Sequence, residues 1–142
     1  MSQAAPTAGV SPENGNLPAA SVIVVGYSMA PEGRAALSRA ISEARIRQSE
    51  LVVVTVSPDE GNASLAAELA ATGIRHRIQD TDGTLEPAEE LINAAESLDA
   101  DFIVIGLRRR SPVGKLLLGS NAQRVLLDAS CAVLAVKADP NI

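Results

Sequence analysis

The chain has 142 residues, 46% of them hydrophobic, and a formal net charge of -5, which is enough for one core but not for two. No apolar run approaches the roughly 18 residues of a membrane span, and with no basic stripe and only Tyr27 and Phe102 as aromatics, neither a membrane nor a nucleic acid is an expected partner. A lone cysteine, Cys131, and a lone histidine, His76, provide no internal disulfide and no metal-ligand cluster; with no secretory pattern at the N-terminus, a cytoplasmic protein is expected.

Residues 1–20 are rich in Ala, Pro, Ser, Gly and Asn without apolar periodicity and are expected to form a disordered arm. The domain is expected to span residues 21–138, with 139–142 as a tail. Residues 22–25 are a continuous apolar run ending in Gly26, the form of a parallel strand covered on both faces. Residues 31–48 carry Ala36, Leu37, Ala40, Ile41 and Ala44 at helical spacing. Residues 51–56 read as a second buried strand stopped by Ser57 and Pro58. A shorter helix is expected over 63–71, closing at Gly73.

Residues 74–78 alternate Ile, Arg, His, Arg, Ile, which predicts an edge strand with one wet face. His76 shares the Ile face and reads as a core or rim histidine rather than a catalytic one. Asp82-Gly83 marks a turn, and Pro87 opens a helix with Leu91, Ile92, Ala95 and Leu98 as its buried stripe. A strand over 102–105 ends in Gly106, a helix covers 120–129, and a last strand covers 131–136. Strands alternating with helical crossovers predict an α/β fold, a doubly wound five-stranded parallel sheet in the order 3-2-1-4-5. Its ligand crevice should lie at the carboxyl ends of the strands where the order reverses, between Gly26 and Gly106.

Over that crevice should hang Gly106-Leu107-Arg108-Arg109-Arg110 and, beyond it, Lys115, a knot of cations in an acidic chain that points to a small anion. A Walker loop is excluded because Arg109 and Leu116 replace the required Gly and Ser or Thr. The dinucleotide fingerprint is absent after the first strand, where Gly26-Tyr27-Ser28 stands. Gly119-Ser120, ahead of Asn121 and Ala122, offers free amides at a helix start to a phosphate. The plainer alternative is that Ser120 only caps the helix, and that the arginines are a solvated turn. No paired carboxylates and no Ser-His or Cys-His arrangement converge on the crevice by spacing, so an efficient enzyme is not expected.

Gly106, two residues, Arg109, nine residues, then Gly119-Ser120 resembles the nucleotide motif of the universal stress proteins, in which a second Gly stands where Arg109 does here. The helix start Asn121-Ala122-Gln123-Arg124-Val125-Leu126 and the last apolar strand resemble the family too. The resemblance covers residues 21–138 and implies an adenine nucleotide alpha hydrolase-like fold and a stress-response module that binds ATP or AMP, with or without Mg2+. It implies nucleotide contacts from Val25, Gly26, Tyr27, Ser28, Val56, Ile105, Gly106, Arg108, Arg109, Gly119, Ser120, Asn121 and Ala122. It also implies a homodimer formed through the last strand, residues 131–136, which should be an apolar edge in need of cover. The sequence departs from the ATP-binding pattern twice: Gly26 replaces an Asp that touches the nucleoside, and Arg109 either fills the phosphate space or pairs with phosphate. If the site is closed, what remains is a dimerisation module that binds no nucleotide.

Overall fold

Val22 to Val25 have side chains alternating between two apolar layers, which is why the run carries no polar position. The computed structural model describes residues 21–56, 62–81, 83–108 and 118–138, so the expected arm and tail, and Arg109, Arg110 and Lys115 with them, lie outside the described residues. The elements follow as β1 (Val22–Tyr27), α1 (Pro31–Arg47), β2 (Glu50–Thr55), α2 (Asn62–Thr72), β3 (His76–Asp80), α3 (Pro87–Leu98), β4 (Phe102–Leu107), α4 (Ser120–Asp128) and β5 (Ala132–Lys137). All pairings are parallel and the order is β3-β2-β1-β4-β5, as expected.

On one face Ile23, Val25, Tyr27, Leu51, Val53 and Val104 pack against Ala36, Leu37, Ala40 and Ala44 of α1 and Leu65 and Leu69 of α2. On the other, Val22, Val24, Val52, Val54, Ile103 and Ile105 pack against Ala88, Leu91, Ala94 and Ala95 of α3 and Val125 of α4. Small alanines on α1 and α3 let the helices lie close to the sheet. The branched strand residues fill the gap, each large side chain contributing about 1.5–3 kcal/mol on burial.

The element limits depart from the sequence reading in informative ways. Gly26 and Gly106 do not end their strands: β1 continues to Tyr27 and β4 to Leu107, because β2 and β5 go on pairing with them as far as Thr55 and Lys137. β3 begins two residues later than its alternation predicts, since Leu51 of β2 pairs with His76 and Thr55 with Asp80. His76 is half-buried, its Nδ1 2.9 Å from the Ile74 carbonyl oxygen, which places it at the rim. α1 stops at Arg47, where Gln48 takes the left-handed conformation (φ 56°) and returns its N–H to the Ala44 carbonyl. α3 opens at Pro87 as predicted, with Glu86 and Glu89 exchanging side-chain and backbone hydrogen bonds in a capping box. In α3, Ala94 is fully part of the buried stripe while Ile92 and Leu98 are only half-buried.

Candidate functional site

Ladder lengths locate the site. The β1–β4 ladder ends at Val25 opposite Val104, whereas β1–β2 and β4–β5 run on to Tyr27 and Leu107. The two central strands therefore part at their carboxyl ends, and a crevice of about 480 Å³ opens between them. Each helix that begins near it adds a first turn to its wall: Glu32 and Gly33 from α1, Pro87 from α3, and Ser120, Asn121 and Ala122 from α4. Leu91, Ile105 and Val125 supply an apolar floor, and Val56 stands at the β2 side.

Two glycines make this convergence possible. A Cβ on Gly106 would stand 1.9 Å from the Glu32 carbonyl oxygen, and one on Gly33 would stand 2.4 Å from the Ser28 carbonyl oxygen. The first turn of α1 thus lies directly on the end of β4 and on the loop that leaves β1. A Cβ on Gly26 would point to the opposite face, where its nearest neighbours are atoms of the Leu91 side chain, Cδ1 first at 3.0 Å. Gly106 lines the crevice with its backbone, but the side it leaves bare belongs to α1.

At α4 the capping position is Gly119, extended at φ -69° and ψ 166°, with no side-chain cap. Ser120 is therefore the first helical residue, which corrects its reading as an N-cap. The Gln123 N–H donates to the Gly119 carbonyl at 3.0 Å, so the amides of Gly119, Ser120, Asn121 and Ala122 have no partner within the helix. The Asn121 side chain is committed elsewhere: its Oδ1 accepts from the Ala88 N–H at 3.1 Å, which joins the first turns of α3 and α4.

The charges differ from the sequence reading. Arg108 does line the crevice, but its Nε lies 3.4 Å from Glu32 Oε2. A single carboxylate is thus present among the described residues of the site; it comes from α1, where no spacing within the loop could reveal it. The described lining holds that one carboxylate and neither histidine nor cysteine. Among the described residues no group of three or more His, Cys, Asp or Glu side chains is gathered to hold a metal ion. No helix among them is long and apolar enough to cross a membrane.

Of the residues singled out from sequence, Gly26, Ser28, Val56, Ile105, Gly106, Arg108, Gly119, Ser120, Asn121 and Ala122 line the one crevice. Val25 and Tyr27 do not: both are buried on the α1 and α2 face, and the Tyr27 hydroxyl accepts from Arg34 Nη1 at 3.1 Å. Strand alternation accounts for this, since neighbours of Gly26 must face the other way. Arg109 lies outside the described residues. Leu107 lines it within the stretch expected over the crevice, while Glu32, Gly33, Pro87, Leu91 and Val125 line it without having been foreseen; a glycine directly after a helix-opening Pro-Glu was the available signal for the α1 turn.

Residues 65–137 match the Universal stress protein family. A universal stress protein of Mycolicibacterium smegmatis (strain ATCC 700084 / mc(2)155) is 44% identical over 128 residues, 82% of this chain and 97% of the relative. Among solved structures, a universal stress protein from Archaeoglobus fulgidus superposes with a TM-score of 0.68 at 27% identity, covering 83% of this chain and 98% of that one. A universal stress protein in complex with cAMP superposes with a TM-score of 0.64 at 25% identity, covering 86% and 100%. With more than half the sequence inside the family match and the M. smegmatis relative alike across most of its length, the chain belongs to the universal stress protein family.

Proposed function

We propose that the chain binds an adenine nucleotide, ATP or AMP, in the crevice between β1 and β4, and serves the stress response as a binding module rather than as an efficient enzyme. The observation that carries this reading is the meeting of the α4 amides that have no partner within their helix, Gly119 to Ala122, with an apolar floor of Leu91, Ile105 and Val125 in one opening. Amides at a helix start suit a phosphate, and the floor suits a base. A structural neighbour holds cAMP, which supports the adenine class. Mg2+ accompanying ATP would find Glu32 as a carboxylate at the site, with the phosphates supplying further oxygens.

The first test is the ultraviolet spectrum of freshly purified protein. With no tryptophan and one tyrosine, the chain itself absorbs weakly, so co-purifying adenine would dominate and could be identified by chromatography. If none is carried, added ATP or AMP should stabilise the fold, by about 2.7 kcal/mol at a hundredfold excess over Kd. No nucleotide and no stabilisation would leave the alternative, a dimerisation module without nucleotide.

The homodimer is part of both readings. β5 is an edge of the sheet, and its Val133, Leu134 and Val136 are only half-buried. An edge with free backbone groups and apolar side chains is a template for another strand, and a second copy of β5 would cover it. Sedimentation at micromolar concentration should give a dimer; a monomer would remove this part of the proposal.

A further inference from the structure

Glu32 and Arg108 are the charged residues of the described crevice lining, and they face each other at 3.4 Å. Glu32 is fixed from below: the backbone of its turn rests on Gly106 and its neighbour Gly33 rests on Ser28, both at distances that only glycine allows. The carboxylate is therefore delivered to the crevice by a rigid turn, while Arg108 reaches it from the exposed end of β4. Their side chains are 22% and 54% exposed, so the pair is wet, weak and open to exchange.

We infer that Glu32 is a specificity-determining residue that competes with ligand phosphate for Arg108. In the free protein Arg108 is held by Glu32; a phosphate seated against the α4 amides draws the guanidinium across the crevice, because an arginine pairs with phosphate in the same forked way as with a carboxylate. Glu32 then stands as a negative charge beside the phosphate and penalises it unless Arg108 or a cation intervenes. Adenosine, which carries no phosphate, does not enter this competition. The inference rests on the adenine-nucleotide reading and adds to it the rule by which the site weighs the phosphate.

Calorimetric titration of AMP and of adenosine into the wild-type protein and into Glu32→Gln tests it. Glutamine keeps the shape and removes the charge, so AMP should bind roughly two- to fivefold more tightly than to wild type, the range of a wet ion pair, with adenosine unchanged. The melting temperature should fall slightly at the same time, since Glu32 also favours the start of α1. Tighter AMP binding in a less stable protein is an outcome that a merely structural role does not produce. AMP binding that is unchanged, or that weakens together with adenosine, would overturn the competition while leaving the nucleotide reading intact. Failure of both ligands on both proteins would overturn the nucleotide reading and the competition with it.

Discussion

Asn121 Oδ1 accepts a hydrogen bond from the Ala88 N–H, so the first turn of α4 satisfies one of the amides that the first turn of α3 leaves open. Replacing Asn121 by Ala should cost about 0.5–2 kcal/mol, the range for loss of a helix N-terminal acceptor, seen as a lower urea midpoint. Asn121→Asp keeps an acceptor there and adds a charge that helix N-termini favour, so its stability should match or exceed that of wild type. Nucleotide affinity should nevertheless fall in the Asp variant, with AMP losing more than adenosine, because the new charge sits beside the amides proposed to receive the phosphate.

Three of the four glycines in the described crevice lining should respond differently to alanine. Gly106→Ala drives a methyl group into the Glu32 backbone at 1.9 Å and Gly33→Ala into the Ser28 backbone at 2.4 Å. Neither backbone can step aside without moving α1, so each should cost about 3 kcal/mol or more, the upper end of overpacking. Gly26→Ala meets the far end of the flexible Leu91 side chain at 3.0 Å and should cost about 1 kcal/mol. Chemical denaturation of the three variants checks the order; a fully stable Gly106→Ala would show that the glycine serves ligand approach alone.

Arg109 takes the place of a motif glycine, and retention of Gly106, Gly119 and Ser120 around it favours a role on phosphate over a plug. Arg109→Gly should then weaken AMP binding by roughly tenfold or more, the value of a charge-assisted hydrogen bond, and leave adenosine binding unchanged. Affinity that rises on the substitution would identify the arginine as the plug.

Legibility in the sequence followed how far each element's surroundings are set by the element itself. β1, β2 and β4 read directly, because a strand covered on both faces must be apolar at every position. β3 read two residues early: its alternation marks wet and dry faces, but where pairing begins is decided by Leu51 of β2. Gly26 and Gly106 were placed correctly at the crevice and misread as strand ends, since a glycine's own sequence does not say what lies against it. Tyr27 was drawn into the site by adjacency to Gly26, although the two-residue period of the strand already turned it to the other face. Glu32 was missed because only the crossover from β1 through α1 carries it to the end of β4.

The Cys131 thiol is pushed up from its ordinary value by burial first, and then by the carboxylates of Asp101 and Glu96. Iodoacetamide should alkylate it more slowly than a free thiol at mildly alkaline pH, and at the ordinary rate once the chain is denatured. Since the folded pKa is the higher one, the contribution of this thiol to stability is complete below the ordinary thiol range. It is lost as the pH rises through the raised value. Cys131→Ser should therefore flatten the alkaline limb of the stability profile; an unaltered limb would show that the thiol is not responsible for it.

Because the β1–β4 ladder stops at Val25 and Val104 while its neighbours continue, the sheet is a pair of panels joined by a short seam. β3, β2 and β1 form one panel, β4 and β5 the other. Amide hydrogens along the seam should exchange with solvent sooner than those within either panel, since opening it breaks the fewest inter-strand bonds. A molecule lodged in the crevice touches both panels and acts as a stitch across the seam, so occupancy should be recorded most clearly in the slowed exchange of Phe102, Ile103 and Val104, the β4 residues that pair with β1 and do not line the crevice.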